Sequence, residues 1–201
     1  LQWSGHGKAV VPAIDGWPQY MEYVKQFVFS DSAKALFANH VDYIIKRTNR
    51  YNGLSYIDDP TLMSWQIGNE PRAFSEEGKE PFAAWLAEVA MQIKTLDPNH
   101  MVSVGSEGKH GCEQDIELFE KIHADAHIDY MNIHLWPYNW GWVKEDSLLE
   151  MLPQTKINTK KYIDEHLVLA RKYKKPVVME EFGFPRDGFQ FTKESSTQAR
   201  D

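Results

Sequence analysis

Hydrophobic positions along the chain fall into short solid runs separated by longer stretches with helical spacing. The run Thr61-Leu62-Met63-Ser64-Trp65-Gln66-Ile67 follows Asp59-Pro60 and stops at Gly68, which predicts a short buried strand. Met101–Val104, Asp129–Ile133 and Pro176–Met179 repeat that signal. Between these runs Phe82, Trp85, Leu86, Val89, Ala90 and Ile93 form one apolar stripe behind Pro81, which suits the first turn of a helix. Ile116, Phe119 and Ile122 mark a second helix, and a third ends near Tyr173. Ahead of the first strand, Leu36, Phe37, Val41, Ile44 and Ile45 predict a helix that begins near Asp31 or Ser32, ends by Asn52-Gly53 and covers a sheet. Residues 1–30 mix Gly, Pro and aromatic residues without sustained period and read as a long loop with short helical pieces.

Four strands alternating with helices predict an α/β protein with parallel strands. No Gly-rich fingerprint follows the first strand, so nothing points to a dinucleotide. The polar, Gly-containing segments all follow strand C-terminal ends, where a (β/α)8 TIM barrel places its chemistry. Such a barrel needs eight strands and roughly 250 residues, whereas this chain has 201 residues. Residues 1–201 are therefore expected to be a partial catalytic TIM-barrel domain carrying about strands 4 to 7, with the remaining segments supplied in cis or by a separate chain. The opening Leu1-Gln2-Trp3-Ser4-Gly5 reads like the middle of a protein, with no signal peptide at Leu1.

Composition narrows the function. The net charge of −7 with no concentrated basic patch argues against nucleic acid. No apolar run approaches a membrane span. Cys112 is the single cysteine, which excludes an internal disulfide framework and a sulfur-type zinc cluster. The histidines show no His-Glu-x-x-His pattern, and there is no nucleophile elbow or phosphate-binding loop. Neither a metal nor a cofactor is expected. The 7 Trp, 9 Tyr and 10 Phe supply flat faces that fit sugar rings as well as cores.

Two carboxyl signals stand at strand ends. Asn69-Glu70-Pro71 closes the first predicted strand, where Pro71 restricts the backbone of Glu70 and Asn69 is suited to bonding a sugar hydroxyl. Glu180-Glu181-Phe182-Gly183 closes the last, and strand alternation sends the two glutamates to opposite sides without saying which faces the site. Retaining glycosidases hold two carboxyl groups about 5 to 5.5 Å apart, one protonated to release the leaving oxygen and one ionised to attack. His134, Trp136, Trp140 and Trp142 follow the third strand and offer a hydrogen-bonding ring and an indole platform. Glu107 lies in the turn after the second strand, as a contact to sugar hydroxyls or a turn-stabilising group, and Arg72 is a candidate partner for a cleft carboxylate. The plain alternative for each is a polar strand end or core packing.

With these motifs in order, the chain resembles glycoside hydrolase family 5, and within it the bacterial β-mannanases. The resemblance runs from the Gln2-Trp3-Ser4-Gly5 loop to Phe182-Gly183. It implies that Glu70 is the general acid/base, that Asn69 contacts the sugar 2-hydroxyl, and that Glu181 is the nucleophile. It also implies substrate contacts from Glu107, His134, Trp136, Trp140 and Trp142. Two positions after His134 many relatives carry a tyrosine beside the nucleophile; this chain has Trp136, which lacks a phenolic hydroxyl. The implied activity is retaining hydrolysis of β-1,4-mannosidic bonds in mannan, glucomannan or galactomannan by a secreted or periplasmic enzyme. A β-1,4-glucanase of the same fold and a noncatalytic carbohydrate-binding fragment are the competing expectations.

Overall fold

The computed structural model describes residues 16–189, 192–194 and 196–200. The Gln2-Trp3-Ser4-Gly5 loop lies outside the described residues. Helix α1 spans Gly16–Val24 and runs into a 3-10 turn, Lys25–Phe29. Ser30 then caps α2, Asp31–Ile45, its hydroxyl accepting from the Ala33 N–H at 3.3 Å. This helix ends earlier than Asn52-Gly53 and packs chiefly on the next helix instead of on the sheet. Phe37 meets Trp85 edge-on with ring centroids 5.2 Å apart, while Leu36, also part of the predicted stripe, is exposed.

Strand β1 is Ser64–Gln66, α3 Lys79–Leu96, β2 Met101–Ser103, α4 Ile116–His123, β3 Met131–Leu135, α5 Leu148–Tyr173 and β4 Val177–Phe182. The α3 stripe is buried as its spacing requires, with Phe82, Leu86 and Ala90 almost inaccessible. Each large apolar side chain so buried contributes roughly 1.5 to 3 kcal/mol. Asp115 caps α4 by accepting from the N–H groups of Glu117 and Leu118 at 2.9 and 3.0 Å.

Both strand-to-strand ladders among the described residues are parallel: β1 with β2, and β3 with β4. The two pairs are linked by hydrogen bonds that flank β2 and β3 without forming a ladder between them. Asp129 N–H donates to the Val102 carbonyl at 2.8 Å, and Gly105 N–H donates to Oδ1 of buried Asn132 at 2.9 Å. The result, among the described residues, is an unclosed α/β arrangement of two parallel strand pairs, β1-β2 and β3-β4, with α3, α4 and α5 between consecutive strands, as in part of a TIM barrel. Gly105 makes the close approach at the strand ends possible: it has a φ of 79°, and a Cβ there would overlap the Gly68 carbonyl oxygen. No described helix is long and apolar enough to cross a membrane.

The β3–β4 ladder contains one irregularity. Register runs Ile133 to Met179 and then His134 to Glu181, leaving Glu180 as an inserted residue. Simple alternation therefore fails at the Glu180-Glu181 pair, because a bulge re-aims side chains locally.

Candidate active site

The strand ends bring Glu70, His134 and Glu181 together. One polar atom from each lies within 4.8 Å of the others. Glu70 follows β1 and takes a left-handed φ of 50°. Pro71 disfavours the right-handed helical region at that position, and the Glu70 N–H is fixed by donating to the Gly105 carbonyl at 2.9 Å. Such a non-glycine conformation costs of order 1 to 3 kcal/mol and is characteristic of functional sites. Asn69 is exposed beside it.

His134, on β3, is completely buried and donates from Nδ1 to Oε1 of Glu70 at 2.8 Å. The same Nδ1 lies 3.4 Å from Oε2 of Glu181, and Nε2 lies 3.9 Å from Oε2 of Glu180. Burial works against the imidazolium, but Glu180, Glu70 and Glu181 outweigh it and raise the His134 pKa to about 9. At neutral pH these carboxylates favour the protonated ring. The carboxylates of Glu70 and Glu181 stay partly open to solvent, with side-chain exposures of 31% and 35%.

Trp136 supplies what its missing hydroxyl left open. Its indole Nε1 donates to Oε2 of Glu181 at 3.2 Å. Gly183 leaves room for that ring, since a Cβ at Gly183 would overlap it.

Glu107 lies beneath the site. It is 3% exposed, and its Oε2 accepts from Arg72 Nε at 2.6 Å and from Arg72 Nη2. Its Oε1 accepts from Trp140 Nε1 at 3.4 Å, and its main-chain carbonyl accepts from the Tyr162 hydroxyl and the His134 N–H. Burial pushes this carboxyl above the ordinary range, while the Arg72 charge opposes that shift. The expected Arg72 partnership is thus made, with Glu107.

Trp140 and Trp142 are half-buried and contact one another edge-on, with centroids 5.1 Å apart. Trp140 also stacks on His110 at 4.4 Å and leans on Tyr162 at 5.1 Å. Much of both rings therefore serves a packed aromatic cluster. Burial, with Arg72 nearby, lowers His110 to about 4, so it is neutral. Its Nδ1 accepts from Gln114 Nε2 at 2.6 Å. His110 and Tyr162 were not singled out by any local motif; only the fold brings them to Trp140.

Two strand-end glutamates around a buried histidine, on parallel β/α architecture, are an arrangement compatible with the carboxyl pair that glycoside hydrolysis uses. The family described as GH family 5 beta-mannosidase-like matches residues 1–201, and the chain belongs to glycoside hydrolase family 5. It is similar to mannan endo-1,4-beta-mannosidase 7 of Arabidopsis thaliana, 31% identical over 169 residues that cover 77% of this chain and 38% of that protein. Among solved structures it is similar to a family 5 mannosidase from Rhizomucor miehei, with 27% identity, a TM-score of 0.78, and coverage of 98% of this chain and 48% of that one. It is also similar to the endo-beta-1,4-mannanase from Thermotoga petrophila, with 27% identity, a TM-score of 0.67, and coverage of 85% and 40%. The chain thus spans less than half the length of these three proteins. The organisms do not single out the bacterial branch.

Proposed function

We propose that this chain carries the two catalytic carboxylates of a retaining glycosidase acting on β-1,4-mannosidic bonds, as part of one catalytic domain. The observation that carries this reading is the convergence of Glu70 and Glu181 on His134 within 4.8 Å. An approach this close supports the closely spaced carboxyl pair of a retaining enzyme. Family membership and the names of the relatives support mannan, glucomannan or galactomannan as substrate.

In the first step Glu181 attacks the anomeric carbon while Glu70 gives its proton to the departing glycosidic oxygen. A covalent glycosyl ester forms on Glu181. Glu70, now ionised, takes a proton from water, which attacks the same carbon and releases Glu181 with net retention. His134 and Trp136 hold the two carboxylates through the bonds described above, and Asn69, exposed beside Glu70, is placed to meet a sugar hydroxyl. Glu107, Trp140 and Trp142, joined by the Trp140 Nε1 bond and ring packing, are assigned to substrate contact on the family resemblance.

The alternation of strands and helices along the chain supports assigning β1–β4 to strands 4 to 7 of a TIM barrel, completed in cis or by a separate chain. The motif pattern supports placement with the bacterial β-mannanases, and a polymeric substrate supports a secreted or periplasmic location. The test is digestion of β-mannan and cellulose by the full-length protein, with product anomers followed by NMR. Mannan cleavage with retained configuration is expected. Inversion defeats the mechanism, preferential cleavage of cellulose favours a glucanase, and binding without turnover favours a carbohydrate-binding fragment.

A further inference from the structure

Glu180 takes no part in the two-carboxylate reaction, yet it occupies the irregular position of the β3–β4 ladder. Without the bulge, alternation would send Glu180 and Glu181 to opposite faces. With it, both carboxylates reach one imidazole: Glu181 lies 3.4 Å from Nδ1 and Glu180 lies 3.9 Å from Nε2. The Nε2 of His134 and the Oε2 of Glu180 are both buried, and neither has a hydrogen-bond partner. Leaving such groups unpaired in the interior is costly. A shift of about 1 Å brings them to hydrogen-bonding distance, so they are each other's natural partner.

We propose that Glu180 is a positioning residue whose carboxylate pairs with the Nε2 edge of His134, holding the ring doubly protonated with its Nδ1–H aimed at Glu70 and Glu181. The charged groups facing the ring are Glu70 from the end of β1 and Glu180 and Glu181 from β4. From the end of β2 the contact is the main-chain carbonyl of Glu107, whose carboxylate is turned to Arg72. A cation in this position reduces repulsion between Glu70 and Glu181 and favours the ionised form of both, Glu181 as nucleophile and Glu70 as the base of the second step. The raised titration of His134 agrees in direction: burial opposes it, and Glu180 is foremost among the groups that overcome burial. The catalytic consequence rests on the hydrolase reading above; the pairing itself does not.

The experiment is an NMR titration of His134 in the full-length protein and in Glu180→Gln, with kcat and KM on β-mannan followed against pH. In Glu180→Gln the His134 midpoint falls by about one pH unit or more, the scale set by one opposite charge at this range. The alkaline limb of kcat moves the same way, and KM stays within about twofold because Glu180 acts through His134 and not on substrate. Glu180→Asp recovers part of the shift, and carries the same readout if Glu180→Gln does not fold. An unmoved His134 midpoint in a folded variant overturns the proposal. A lowered midpoint in a protein whose parent turns over no β-mannan leaves the positioning role standing and defeats the hydrolase reading instead.

Discussion

The indole Nε1 of Trp136 donates to Oε2 of Glu181 at 3.2 Å, so this chain reaches the proposed nucleophile with an N–H in place of the tyrosine hydroxyl implied by the family resemblance. A hydrogen bond to a charged group contributes about 1.5 to 3 kcal/mol, and each 1.36 kcal/mol or so is tenfold in rate. Trp136→Phe is therefore expected to lower kcat on β-mannan by roughly tenfold to a hundredfold. Trp136→Tyr, which restores a donor, should retain more activity than Trp136→Phe. Steady-state rates of the full-length variants check this, and equal losses in both would show that ring volume matters and the donor does not.

His134 gives a pH dependence with a definite sign. Its pKa is about 9 in the folded protein, against about 6.5 in an unfolded chain. The folded state therefore holds this proton more tightly. The stabilisation is fully present below about pH 6.5 and is lost as pH rises through the folded value. Urea midpoints measured from pH 6 to 10 should fall more steeply for the parent protein than for His134→Gln; identical slopes would remove His134 as the cause.

The Arg72 and Glu107 pair is the other charged feature under the site, with the Glu107 side chain only 4% exposed. Removing one partner leaves a buried charge without compensation, which costs about 3 to 5 kcal/mol. Arg72→Met is expected to lower unfolding free energy by about that amount, whereas the double variant Arg72→Met/Glu107→Leu should be milder. Chemical denaturation of the four proteins in the cycle measures the coupling, and additive losses would contradict a paired role.

The parts of this arrangement that were legible in the sequence are those set by local rules. Apolar runs closed by Gly or Pro located β1 and β4 within a few residues, and the periodic stripe from Phe82 to Ile93 located α3 and its buried face. Asn69-Glu70-Pro71 marked a strand end because proline restricts its neighbour. The Glu180-Glu181 pair was misread by alternation because a bulge depends on how β4 registers against β3, a nonlocal choice. Trp140 and Trp142 looked like a free platform because their partner, Tyr162, lies on α5 with no signal tying it to the loop. The donor from Trp136 was equally hidden, since residue type gives hydrogen-bonding capacity and only the fold gives direction.

Glu181, and not its neighbour Glu180, is the proposed nucleophile. The most direct test of that assignment is incubation of the full-length protein with an activated 2-deoxy-2-fluoro-β-mannoside, which slows hydrolysis of the covalent intermediate, followed by peptide mass mapping. The account predicts one added sugar per molecule, located on Glu181. A label on Glu180, or turnover of mannan with no trapped ester on either glutamate, would contradict it.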